Sequence, residues 1–123
     1  MSANFLHRIR AALVAILLTA AFAVPALAGP FEDAVAKFAN DDFSDTDDAI
    51  GVIAASGNPL AFPIISALQE GRLSADPESK KVFVTGTDGK IIDAATGAAV
   101  DKLPDGAAAV RLNNRLRRTV EAA

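Results

Sequence analysis

Arg111, Arg115, Arg117 and Arg118, with Asn113 and Asn114 among them, form the grouping in this 123-residue chain that most resembles a recognition surface. Guanidinium groups bind carboxylates and phosphates through paired N–H donors, and carboxamides offer both donors and acceptors. Read as one helix from Val110 to Val120, the segment has two faces. Leu112, Leu116 and Val120 recur at i, i+4, i+8 as an apolar stripe, and Arg111, Arg115 and Arg118 at i, i+4, i+7 as a basic one. Asparagine is a poor helix former because its amide competes for the backbone. Two of them mid-helix imply a packing partner, or a partner surface, that engages their amides. The expected chemistry is binding, without bond breaking.

Other candidate sites are weaker. Residues 40–48 are rich in Asp, Ser and Thr, as a Ca²⁺ loop would be. An EF-hand needs alternating oxygen ligands, a central Gly and a Glu at its twelfth position, and no register here supplies them. The same residue types cap helices and suit the positive end of the helix dipole, which is the expected role. Gly86–Lys90 contains a Gly-Lys pair but lacks the spacing and the following Ser/Thr of a phosphate loop. Paired carboxylates occur at Glu32/Asp33 and Asp47/Asp48, but sequence neighbours on a helix point in different directions. The chain has no Cys, and His7 is its only histidine. A thiol nucleophile, a disulfide framework and a Cys/His metal site are therefore excluded. With His7 in a segment expected to be removed, a histidine base is excluded as well. The expectation is a non-enzyme with no catalytic, cofactor-binding or metal residues; a hydrolase built on carboxylates alone is the enzymatic alternative.

Residues 1–28 read as a secretory signal peptide. His7, Arg8 and Arg10 make a positive start, Ala11–Val24 is an uncharged apolar run, and Ala26-Leu27-Ala28 is an A-x-A cleavage site. The run is short of the roughly 20 residues of a spanning helix. Counted through Ala28 it reaches 18 residues, so an uncleaved signal anchor is the alternative. The expected location is the periplasmic side of the inner membrane. Cleavage after Ala28 removes two of the twelve Lys and Arg residues, leaving ten against fifteen acids and a net charge of −5. An exported acidic chain is a poor nucleic-acid binder, so no nucleic-acid partner is expected.

The elements that must position the arginines follow from periodicity and punctuation. Pro30 opens a short helix with Phe31, Val35 and Phe38 on one face and Glu32 and Asp33 in its first turn. A second helix runs over Asp47–Ala55 and is stopped by Ser56–Pro59; a third runs over Leu60–Glu70 and is stopped by Gly71. Ile50 and Ile53 can meet Leu60, Ile64 and Leu68, so the two form an antiparallel helical pair similar to one HEAT-type repeat. One such repeat cannot bury its apolar face alone and must stack on another element. Lys81–Thr85 and Lys90–Asp93 read as strands joined by an Asp88-Gly89 turn, and Ala98–Asp101 as a weak third strand. The fold class expected is α+β, mainly α: a HEAT-like antiparallel helical pair and a C-terminal helix, with a small β-hairpin or meander insert at about 81–101. After residues 1–28, residues 29–123 form one small extracytoplasmic domain.

Three features occur in order: the signal peptide, the helical pair "AIGVIAASGNPLAFPIISALQEGRL", and a short strand insert before "VRLNNRLRRTVEAA". Together they resemble the exported N-terminal region of the permease subunit of urea-type ABC transporters, which is similar to branched-chain amino acid permeases. The resemblance spans about residues 31–123, and the Asn113–Arg118 run is its most specific part. It implies an accessory, non-catalytic periplasmic module with the membrane-embedded permease core, other transporter subunits and a substrate-binding protein as partners. The family's transmembrane core is not in this sequence, so the resemblance implies a truncated or split permease and assigns no urea ligand here. The alternative is a free-standing periplasmic HEAT-like interaction protein. On the outer side of a membrane, an arginine-rich helix is expected to be neutralised by carboxylates such as Asp41, Asp42, Asp47 or Asp48, or by lipid head groups.

Overall fold

The computed structural model describes residues 29–123; the signal peptide expected at residues 1–28 lies outside them. The architecture is α+β, mainly helical, with four α-helices and a five-stranded antiparallel sheet among the described residues. Among the described residues no helix is long and apolar enough to cross a membrane.

Helix α1 spans Pro30–Lys37, with Pro30 in its first turn, where its missing N–H costs nothing. The Glu32 carboxylate accepts the Gly29 N–H at 2.9 Å, which ties the helix entrance down. A 3₁₀ turn, Phe38–Asn40, continues it and ends at Asp41, whose backbone is left-handed at φ 53°. Helix α2 spans Phe43–Ala55 and so starts before Asp47. Asp42 caps it, its Oδ1 accepting the Asp45 N–H at 3.0 Å, so the acidic loop performs the capping its composition implied. Thr46, Ala49, Ile50 and Ile53 form its buried face at helical spacing. Helix α3 spans Ala61–Gln69 and buries Ile64, Ala67 and Leu68. The side chain of Asn58 accepts the Leu60 N–H at 2.9 Å and organises its entrance.

Ile50, Ile53, Ile64 and Leu68 share one core, as their spacing predicts. The α2–α3 pair does not stand alone. Phe31, Val35 and Phe38 of the first helical segment enter the same core, and α2 packs more extensively on α1 than on α3.

The exit of α3 sets up the sheet. Gly71 takes φ 73°, its N–H bonds the Leu68 carbonyl, and the Arg72 N–H bonds the Ala67 carbonyl at 2.7 Å. This is a Schellman stop, and it turns the chain directly into strand β1, Leu73–Asp76. Strands β2 (Lys81–Thr85), β3 (Ile91–Asp93), β4 (Ala99–Val100) and β5 (Ala108–Ala109) follow in the spatial order β4-β3-β2-β1-β5. The sheet is thus larger than a meander over 81–101. It extends back to β1, and the chain crosses from β4 at one edge to β5 at the other.

Leu73 and Ala75 of β1, with Val82 and Val84 of β2, alternate onto the helical core. Phe83 alternates to the opposite face, pairs with Ser74 in register, and is still only 3% exposed. The central strands β1 and β2 are therefore buried on both faces.

Helix α4 spans Asn114–Ala122. Leu116 and Val120 are 2% and 1% exposed and belong to the core cluster, while the half-buried Leu112 packs against it. The C-terminal helix is thereby an integral wall of the domain.

Two substitutions test this. Gly71→Ala has open space for a methyl group, so its cost is purely conformational; a loss of about 1–2 kcal/mol in chemical denaturation is expected. Leu116→Ala should cost about 2–5 kcal/mol and expose the C-terminus to proteolysis. A wild-type midpoint for Leu116→Ala would mean that α4 is not part of the cooperative unit.

Candidate interaction surface

The C-terminal segment is built differently from a single Val110–Val120 helix. Val110 still belongs to the sheet edge, its N–H bonding the Leu73 carbonyl at 2.9 Å. Asn113 is extended, at φ −94° and ψ 176°, and its Oδ1 accepts the Leu116 N–H at 2.8 Å. It is the N-cap of α4, and Asn114 is the first helical residue. The paired asparagines are therefore a helix boundary, where their amides are favoured, and not an interruption inside a helix. Arg111 and Leu112 precede the helix, so the continuous i, i+4, i+7 basic stripe does not form. Only Arg115, Arg117 and Arg118 share the helix.

The arginines divide by partner. Arg111 donates to Asp41 from Nε and Nη2, each at 3.0 Å from Oδ1, and its guanidinium lies 5.5 Å from the centre of the Phe43 ring. This contact links two segments seventy residues apart. A cation over an aromatic face gains electrostatic attraction in addition to the ion pair. Arg115 reaches Asp47 at 3.8 Å, at the long end of an ion pair, and its side chain stays 79% exposed. Of the four expected carboxylates, Asp41 and Asp47 thus face arginines. Asp42 instead caps α2, and Asp48 lies 3.9 Å from Lys37. Arg117 and Arg118 are exposed and form no ion pair among the described residues.

These side chains flank two clefts. One, of about 380 Å³, is lined by Gln69, Leu112, Arg117, Val120 and Glu121. The other, of about 150 Å³, is lined by Phe43, Ser44, Asp47, Asn113, Arg115 and Leu116. In the first cleft, Gln69 Nε2 donates to the Val120 carbonyl at 3.4 Å, joining α3 to α4. The surface thus offers one apolar cleft wall beside exposed guanidinium groups. Its chemistry is ion pairing and hydrogen bonding to an acidic or carbonyl-rich partner.

Sequence reasoning placed the arginines and their acidic partners in the right regions but missed Phe43 and Gln69. Phe43 lies in a loop-like acidic stretch, and nothing local announces that a distant arginine will cover it. No group of His, Cys, Asp and Glu among the described residues could hold a metal ion. Comparison with known proteins adds no relative: no family model, no curated protein and no solved structure matches the chain.

The two asparagines separate cleanly in a stability assay. Asn113→Ala removes the cap and should lower unfolding stability by about 1 kcal/mol. Asn114→Ala lies at the first helical position and should be neutral or slightly stabilising, because alanine is the better helix former. Equal losses at both positions would contradict the cap assignment. Among the arginines, Arg111→Ala should cost about 1 kcal/mol through its ion pair and aromatic contact together. Arg118→Ala should leave the midpoint unchanged.

Proposed function

We propose that this chain is the exported, non-catalytic N-terminal module of the permease subunit of a urea-type ABC transporter. In this reading residues 1–28 direct export, and residues 29–123 fold on the periplasmic side of the inner membrane. The module positions or binds other transporter parts. Its partners are the membrane-embedded permease core, its companion subunits and a substrate-binding protein, and urea itself has no ligand in it.

The observation that carries the reading is the division of labour within "VRLNNRLRRTVEAA". Val110 extends the pairing of β5 with β1, Asn113 caps α4, and Leu116 and Val120 fill the core. Arg115, Arg117 and Arg118 stay exposed. The stretch that most closely resembles the permease family is thus a structural joint that holds a basic surface rigidly outward, as an accessory docking module requires. The free-standing interaction protein uses the same surface and differs only in what it docks to.

The test begins with the gene. The reading frame around the Ala123 codon, in frame or frameshifted, should encode several apolar segments of about 20 residues each. In cells lacking their own urea importer, the complete transporter should take up labelled urea. Arg117→Glu combined with Arg118→Glu should reduce uptake or subunit co-purification severalfold without changing the unfolding midpoint of the isolated 29–123 domain. Ordinary intergenic sequence after Ala123, or full uptake by the double variant, would count against the transporter role. A reporter enzyme active only after export, fused behind Ala123, should be active; an inactive fusion would refute the periplasmic placement.

A further inference from the structure

The chain contains two Asp-Gly pairs, Asp88-Gly89 and Asp105-Gly106, and the fold treats them differently. An aspartate followed by glycine is open to a reaction with its own backbone, because glycine has no Cβ to hinder approach to its nitrogen. The glycine nitrogen attacks the aspartate Cγ and a Cγ–N bond forms. The carboxyl group, in its acid form, loses its hydroxyl together with the amide proton as water, leaving a cyclic succinimide. Water then opens the ring at either carbonyl. One opening restores aspartate; the other leaves isoaspartate, in which the main chain runs through the side-chain carbon. The reaction needs a glycine nitrogen and an aspartate carboxyl that are free to approach each other.

Both pairs lie in exposed turns, so access to water does not distinguish them. The turns close on different amides. In the 86–89 turn the closing donor is the Gly89 N–H itself, which bonds the Gly86 carbonyl at 3.0 Å. The attacking nitrogen is thereby engaged. The carboxylate is engaged as well, with Asp88 Oδ1 accepting the Lys90 N–H at 3.0 Å. In the 104–107 turn the closing donor lies one residue further on, where the Ala107 N–H bonds the Pro104 carbonyl at 3.0 Å. Gly106 is an inner residue of that turn. Among the described residues neither its N–H nor the Asp105 carboxylate has a hydrogen-bond or ion-pair partner.

We propose that Asp105 is a modification site, isomerising to isoaspartate through a succinimide with Gly106, while the turn at Asp88-Gly89 protects the same dipeptide. Water is the only co-reactant, and the chemistry is independent of the transport reading. The position gives the change a consequence. The 104–107 turn leads straight into β5, whose Ala108 and Ala109 pair with Ala75 and Ser74. Its inner side is closely packed: a Cβ on Gly106 would stand 3.1 Å from Asp76 Oδ1. Asp76 is itself buried and fixed by the Glu78 N–H and the Ser79 hydroxyl. Isoaspartate lengthens the main chain by a methylene at a corner with little room for it. The displacement therefore passes into β5 and loosens its pairing with β1, just ahead of the Arg111–Asp41 contact.

Trypsin separates the two pairs, into Val82–Lys90 and Leu103–Arg111. The purified full chain is aged at neutral pH in water enriched in heavy oxygen and then digested in ordinary water. Each passage through the succinimide writes a heavy oxygen into the peptide. Leu103–Arg111 should take up label and yield an isoaspartyl isomer severalfold faster than Val82–Lys90. In denaturant the two peptides should label at similar rates, because the difference belongs to the fold. Asp105→Glu keeps the charge, but its longer side chain closes an imide ring far more slowly; it should abolish labelling of Leu103–Arg111 and leave Val82–Lys90 unchanged. In the isomerised protein the Val110 N–H should exchange with solvent severalfold faster than in the unmodified one. Label in Val82–Lys90 at an equal or greater rate in the folded chain would overturn the proposal, as would an undiminished difference in denaturant or an unlabelled Leu103–Arg111. Unchanged exchange at Val110 would overturn the coupling to β5.

Discussion

Strand β1 is the constraint on which the rest of the structure depends. Its four residues, Leu73–Asp76, are all buried, and it pairs with β2 on one side and β5 on the other. It begins two residues after the left-handed Gly71 that ends α3, so the helical layer and the sheet are joined almost rigidly. Through β5 it also fixes where α4 starts, because the chain leaves the Leu73–Val110 bond and caps the helix only three residues later. The basic surface is therefore placed by a strand whose sequence, Leu-Ser-Ala-Asp, has little strand character of its own.

Electrostatics adds local fastening to this frame. The acidic run 41–48 divides its carboxylates between a helix cap, an arginine clamp and two longer ion pairs. Exposed pairs of this kind contribute little each, and the hydrophobic core carries the stability. Their value is positional. Asp41 and Phe43 hold Arg111 at the junction of β5 and α4, and Asp47 reaches toward Arg115 on the neighbouring helix. Arg117 and Arg118 lack such partners among the described residues and remain available for a partner surface.

Turn chemistry and capping read well from the sequence because they are local. The Gly71 stop, the Asp88-Gly89 turn and the acidic cap before α2 each depend on residues within a few positions of one another. The core residues of α1, α2 and α3 were legible from helical spacing. The boundary of α4 was not. Leu112 fits the apolar period of Leu116 and Val120, so the pattern runs smoothly through residues that are not helical, and the capping preference of Asn113 had to compete with it. Strands β1 and β5 escaped because Ser, Ala and Asp are weak strand formers, and an alanine run is read first as helix.

By itself the sequence determined the α+β class, the helical pair, the hairpin, the acidic caps and the concentration of arginines near the C-terminus. Each rests on periodicity or on short-range backbone chemistry, which a chain carries wherever it goes. Only the tertiary structure decided that the helical pair leans on α1, that the sheet has five strands, and which arginines find carboxylates. It also decided that β4 and β5 are the edge strands of the sheet. Those outcomes depend on pairing between residues far apart in the chain, as in Leu73 with Val110 and Asp41 with Arg111, where burial and register override local preference.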